Sequence, residues 1–165
     1  MGRLRTKSSA PIVTGGAGSM YLDTGILVKL LTPEPETVWF ERELRGHPLA
    51  TSELALVEFR SALFSKGRAG RIKALQRMKA EAKFHELVET KILELVNLNN
   101  RVLRKAGQIL AATHPAVPLR SLDALHIASC DLAQEFPICT TGARMHAAAR
   151  AGHVPVFPEK LPLQI

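Results

Sequence analysis

Met20-Tyr21-Leu22-Asp23-Thr24-Gly25-Ile26-Leu27-Val28-Lys29-Leu30-Leu31 sets a short apolar run against a longer one, with an aspartate at the junction. Met20–Leu22 reads as a strand and residues 26–31 as the helix after it. A second junction of this kind lies in Arg120-Ser121-Leu122-Asp123-Ala124-Leu125-His126-Ile127-Ala128, where Asp123 opens a helical pattern. Aspartate is scarce here, Asp131 being the only other one. A short, stiff carboxylate at two structural junctions points to something held between them, and a divalent cation is the first candidate.

The alternation continues outward from that stretch. Pro33-Glu34-Pro35-Glu36 can start a helix reaching Leu44. Leu49-Ala50 reads as a brief strand, and Ser52 as the cap of a helix running to about Phe64. Gly67 and Gly70 mark a turn, followed by a long amphipathic helix over 72–88. Residues 92–98 read as a strand, with Asn99 and Asn100 capping a helix over 102–112. The remaining pattern predicts a helix from Ser121, a strand over 137–140, a helix at Ala143–Ala151 closed by Gly152, and a last strand at 154–156. Pro155 argues that this last strand lies at an edge. The implied fold is α/β, with a mainly parallel sheet of four or five strands covered on both faces as an α/β/α three-layer domain. Ligands collect at the carboxyl ends of such strands, where Asp23 and Thr140 would sit.

With 165 residues, 46% of them hydrophobic, the chain is predicted to be globular with one real core. No apolar run approaches membrane-spanning length. Cys130 and Cys139 lack metal-ligand spacing and fall in apolar segments, so both read as buried free thiols. These features suit a cytoplasmic protein. Residues 1–19, with Arg3, Arg5, Lys7 and a Gly-rich end, read as a flexible leader, and 20–165 as a single domain. The net charge is +7, three units of it from the leader's bases. Residues 60–83 hold eight bases (Arg60, Lys66, Arg68, Arg71, Lys73, Arg77, Lys79, Lys83) against Glu81 alone, so the rest of the domain is net acidic. A local basic strip suits RNA or an acidic partner segment, against the plainer reading of a solvated helix face.

Glu58 interrupts a helix that looks apolar almost all round, which predicts a well-buried helix and a carboxylate in need of compensation. A metal cation would supply it, and so would emergence into water at the sheet edge. Glu53 has an easy polar explanation in Arg60, two turns along. Asp23 can equally cap the helix after it. Asp123 can complement a helix dipole, with Ser121 as cap. The three acids gain force together, because all could converge at one end of one sheet.

Four segments, in order, resemble a PIN-domain ribonuclease of the VapC toxin type. They are residues 21–30, residues 51–63 (Thr51-Ser52-Glu53-Leu54-Ala55-Leu56-Val57-Glu58-Phe59-Arg60-Ser61-Ala62-Leu63), residues 121–128, and Cys139-Thr140-Thr141-Gly142-Ala143-Arg144-Met145. The resemblance implies an acidic pocket for Mg²⁺ or Mn²⁺ made by Asp23, Glu58 and Asp123, and Thr140 is expected to join them in catalysis by supplying a hydroxyl to a water on the metal. It implies endoribonuclease activity leaving a 5′-phosphate, neutralisation by a VapB-like antitoxin, and a homodimer. RNA phosphates would be anchored by Arg60, Lys66, Arg68, Arg71 and Arg144. Two positions depart from the family pattern. Gly142 stands where an aspartate is usual, and Gly25 where Ser or Asn is common. The first departure motivates an alternative, a weakened PIN domain kept as an RNA- or antitoxin-binding module. Asp23-Thr24-Gly25 also matches the aspartic-protease motif, but that motif needs an all-β fold and a second copy. His126, one turn past Asp123, reads as a packed structural histidine.

Overall fold

The computed structural model describes residues 19–161; apart from Ser19, the leader proposed for 1–19 lies outside the described residues. Five strands form one sheet: β1 (Met20–Leu22), β2 (Leu49–Ser52), β3 (Leu93–Val96), β4 (Ile138–Cys139) and β5 (Val156–Phe157). Their order is β3-β2-β1-β4-β5, and every neighbouring pair is parallel. The helices among the described residues are α1 (Thr24–Leu31), α2 (Thr37–Glu43), α3 (Ala55–Arg68), α4 (Ala74–Glu89), α5 (Asn100–Thr113), α6 (Ser121–Ala133) and α7 (Ala143–Ala151).

β1 is the middle strand, and its period of two divides the core. Met20 and Leu22 enter a cluster with Ile26, Phe40, Phe59, Leu63 and Phe84 from α1 to α4. Tyr21 points the other way, among Ile127, Ile138, Met145 and Ala148 of the α6 and α7 side. α5 docks on α6 through Val102, Ala106, Ala124 and Ala128. This is the expected α/β/α arrangement. Each fully buried Leu or Ile contributes roughly 1.5–3 kcal/mol to it.

Two consequences of the topology position the site. All strands run the same way, so each following helix starts at the carboxyl edge of the sheet. The chain steps outward from β1 to β2 and β3, then returns across β1 to β4 and leaves for β5. That reversal falls between the carboxyl ends of β1 and β4, the switch point at which ligands collect in such sheets.

Several expectations need correcting. Ser52 ends β2, and its hydroxyl accepts the Leu54 N–H at 3.2 Å; the helix begins at Ala55 and runs past Gly67 to Arg68. Of Gly67 and Gly70, it is Gly70 that takes the left-handed turn, with φ +68°. α3 is not buried all round: Ala55, Phe59 and Leu63 are buried, whereas Val57 is 71% exposed. The cause is its place at the flank of the sheet, where one stripe meets α1 and α4 and the rest faces outward. Glu53 precedes the helix and accepts from the Leu98 N–H at 2.8 Å, not from Arg60. Ser121 is the first residue of α6, with Arg120 at the cap position and no side-chain cap bond.

Candidate functional site

Helix starts gather the acids at the carboxyl edge. Asp23 follows β1 directly and caps α1, its Oδ1 accepting the Ile26 N–H at 2.8 Å. Its own N–H donates to the Cys139 carbonyl at 3.1 Å, which locks it to the end of β4. The Thr140 hydroxyl donates to Asp23 Oδ2 and accepts the Gly142 N–H at 3.0 Å. Asp23 is only 6% exposed. Burial pushes its carboxyl above the ordinary aspartate value and the charge of Asp123 adds to this; Thr140, His126 and the Ile26 N–H oppose the rise without cancelling it. Asp123 is half-buried in the first turn of α6. Among the described residues neither aspartate has a basic salt-bridge partner.

Glu58 lies in the first turn of α3, where the helix N-terminus favours a carboxylate. Its Oε2 accepts from His126 Nε2 at 2.7 Å and from the Thr24 hydroxyl at 2.7 Å. The Thr24 hydroxyl is also 3.1 Å from His126 Nε2, and His126 Nδ1 meets the Tyr21 hydroxyl at 2.8 Å. Burial alone would raise the Glu58 carboxyl, but the bond and charge of His126 and the Thr24 hydroxyl outweigh it, leaving Glu58 below the ordinary glutamate value. His126 is indeed buried, yet it bonds a site carboxylate as well as packing. Sequence reasoning gave no site role to it, to Tyr21 or to Thr24. The signals were the one-turn spacing of His126 from Asp123 and the alternation on β1 that turns Tyr21 to the face opposite Met20 and Leu22.

The acids therefore stand in two adjoining groups, Asp23 with Thr140 and Asp123, and Glu58 with His126 and Thr24. Among the described residues no three His, Cys, Asp or Glu side chains are drawn together into a ready-made metal cage. The donors still fit a hard divalent ion, being carboxylates and a hydroxyl with no thiol among them. Every buried polar side-chain atom among the described residues has a hydrogen-bond partner. The demand at Asp23 is thus one of charge: a buried carboxylate beside a like charge, which a cation would relieve.

Gly142 is the cap residue of α7, at φ −72° and ψ 109°, a conformation open to any residue. A Cβ there would stand 3.4 Å from Thr140 Oγ1, so an acid at this position would begin beside the hydroxyl that holds Asp23. At Gly25 a Cβ would press to 3.2 Å from Asp23 Oδ1.

The bases are scattered more widely. Arg144 is exposed in the first turn of α7, at the rim. Arg60 is exposed and 3.8 Å from Glu81. Lys66 is largely buried against Glu34. Arg68 and Arg71 are exposed, but Arg68 lies ten residues beyond Glu58 on α3, about 15 Å along the helix axis. Asp131 pairs with Lys105 at 2.7 Å, remote from the other acids.

Residues 20–151 match the family described as PIN domain. The chain is 36% identical over 138 residues to Ribonuclease VapC46 of Mycobacterium tuberculosis (strain ATCC 25618 / H37Rv), covering 80% of this chain and 91% of that protein. Among solved structures, FitAcB from Neisseria gonorrhoeae superposes with a TM-score of 0.57 at 18% identity, over 84% of this chain and 96% of that one. A toxin–antitoxin complex from Klebsiella pneumoniae gives 0.58 at 16% identity, over 89% and 100%. FitAB bound to an IR36 DNA fragment gives 0.62 at 16% identity, over 88% and 99%. At these identities the structural matches speak for the fold.

Proposed function

The chain belongs to the PIN-domain family as a relative of the VapC ribonucleases, and from that premise we propose that it is a Mg²⁺- or Mn²⁺-dependent endoribonuclease toxin held in check by an antitoxin. The observation that carries the metal is the buried Asp23 carboxylate, raised by burial, beside Asp123 and without a basic partner among the described residues. Asp23, Asp123 and Glu58 would hold the ion. When bound, it supplies charge neutralisation at the phosphoryl oxygens and a more acidic water for hydrolysis.

The chain's own residues do the rest. Ile26 and Thr140 fix the two oxygens of Asp23, so the carboxylate is oriented before any ligand arrives. Arg144 at the rim can bind a phosphate next to the scissile one, and Arg60, Arg68 and Arg71 can track the strand farther out. Lys66, engaged with Glu34, has the least charge to offer.

An antitoxin partner is supported by the toxin–antitoxin complex among the structural matches. Exposed Val57, Phe64, Leu75 and Met78 beside the bases of α3 and α4 suit an apolar segment carrying acids. Homodimerisation belongs to the same proposal, and light scattering on the purified chain measures it.

The test is cleavage of total cellular RNA by the purified full chain. Cutting should require Mg²⁺ or Mn²⁺ and disappear in Asp23→Ala. Cleavage undiminished by chelator or by Asp23→Ala would reject the mechanism. Folded protein that retains RNA binding but never cuts would favour the binding-module alternative raised by Gly142.

A further inference from the structure

Tyr21, His126 and Thr24 form a buried hydrogen-bonded chain that ends on one oxygen of Glu58. An ionised carboxylate offers only acceptors, so His126 Nε2 must carry the hydrogen it shares with Glu58 Oε2 at 2.7 Å. Nδ1 then meets the Tyr21 hydroxyl at 2.8 Å, accepting from it in a neutral ring and donating to it in a charged one, and a phenol hydroxyl serves either way.

Each link is fixed by the fold. Tyr21 sits in the central strand, paired with Ala50 on one side and Ile138 on the other. Its ring meets the His126 ring edge-on, with centroids 5.8 Å apart. Tyr21 is fully buried and His126 is 2% exposed. Thr24 reaches the same Glu58 oxygen from α1. Glu58 Oε1 enters no hydrogen bond among the described residues, whereas Oε2 takes two.

We infer that Tyr21 and His126 are positioning residues that clamp Glu58 through Oε2 and leave Oε1 for the cation site, an inference that rests on the nuclease reading above. A freely rotating Glu58 would contribute a mobile ligand; one fixed through a histidine and a tyrosine presents a single oxygen in a set direction. Carboxylates that ligate metals are generally held by such outer hydrogen bonds, and removal of those partners typically weakens metal binding or activity by about 10–100-fold.

The experiment compares Tyr21→Phe, His126→Leu, His126→Gln, Glu58→Gln and the double variant H126L/E58Q in the full chain. Mn²⁺ binding is followed by the electron paramagnetic resonance of free Mn²⁺, RNA cleavage by kcat and KM, and folding by Tm. Tyr21→Phe and His126→Leu should each weaken Mn²⁺ binding and lower kcat by about ten-fold, with KM for RNA little changed. His126→Gln, whose amide can donate to Glu58 and accept from Tyr21, should recover most of the loss. In the Glu58→Gln background His126→Leu should add nothing, since the clamp has lost its cargo. A purely structural histidine would lower the two backgrounds by the same factor, and that result overturns the clamp. So does a folded Tyr21→Phe, with only a hydroxyl removed, that binds Mn²⁺ and cuts as the wild type does. Wild-type protein that binds Mn²⁺ but cuts no RNA would overturn the nuclease reading alone, and the Mn²⁺ cycle would still judge the clamp. Wild-type protein that binds no Mn²⁺ overturns both.

Discussion

At Asp23 two demands on one carboxylate pull in opposite directions. As the cap of α1 it is well satisfied, and as a buried charge beside Asp123 it is not. Asp23→Asn should therefore stabilise the metal-free protein while ending Mn²⁺ binding. A gain of about 1 kcal/mol, within the usual range for a single stabilising substitution, would raise Tm by about 2–4 °C for a chain of this length. The advantage should shrink as pH falls. Asp23 has a raised value in the fold, so it protonates there before the unfolded chain's carboxyl does, and its penalty fades through that window. Glu58 behaves oppositely: its contribution is lost as pH falls through its lowered value. Urea titrations of both proteins across acidic pH would detect the convergence, and a constant gap would refute it. Gly142 offers the complementary gain. Gly142→Asp adds a unit charge near Thr140 without backbone strain, and at close range such a charge is worth about 1 kcal/mol or more. Mn²⁺ binding by calorimetry should tighten by at least about five-fold, with cleavage raised; unchanged affinity would mean the added carboxylate misses the site.

Among the elements, α3 departs most from its sequence pattern. Its wheel looks apolar all round, yet a helix at the flank of a sheet can bury only one stripe. Phe59 lies on that stripe, 1% exposed and stacked on Phe84 of α4 at 4.7 Å between centroids. Phe59→Ala should lose about 3–5 kcal/mol of stability, whereas Val57→Ser, on the exposed side, should change it by no more than about 0.5 kcal/mol. Denaturant unfolding of the two variants measures the contrast. Similar losses in both would mean that Val57 is covered, as it would be inside a dimer. The same helix carries Glu58 at its start and Arg68 at its end. Its length separates the acidic site from the outer bases, a separation hidden when residues are judged by nearness in sequence.

For the whole molecule, charge is divided between an acidic rim and a basic flank. Arg68 and Arg71 should act on affinity more than on chemistry. The pair Arg68→Glu, Arg71→Glu should weaken RNA binding and reduce the salt slope by about 0.7 for each phosphate left without its arginine. Arg144→Ala, at the rim, should instead lower kcat. Fluorescence anisotropy over a salt series, beside single-turnover cleavage, separates these effects; an unchanged salt slope in the double reversal would remove the flank from the RNA path.

The sequence by itself determined the alternation of strands and helices, the parallel sheet, and the acids at its carboxyl edge. These are local matters: Asp23 closes an apolar triplet, Asn99 caps α5, and Gly152 ends α7. Four segments in a family's order carried the relationship as well. Only the tertiary structure decided which acid stands with which partner. Glu58 lies 68 residues from His126, and Tyr21 lies 105 residues from it. No periodicity encodes those meetings. They arise because parallel strands start α1 and α3 at one edge, because α6, which follows α5, brings His126 against Thr24 and Glu58 there, and because the alternating side chains of β1 put Tyr21 against α6 while Met20 and Leu22 face the other layer.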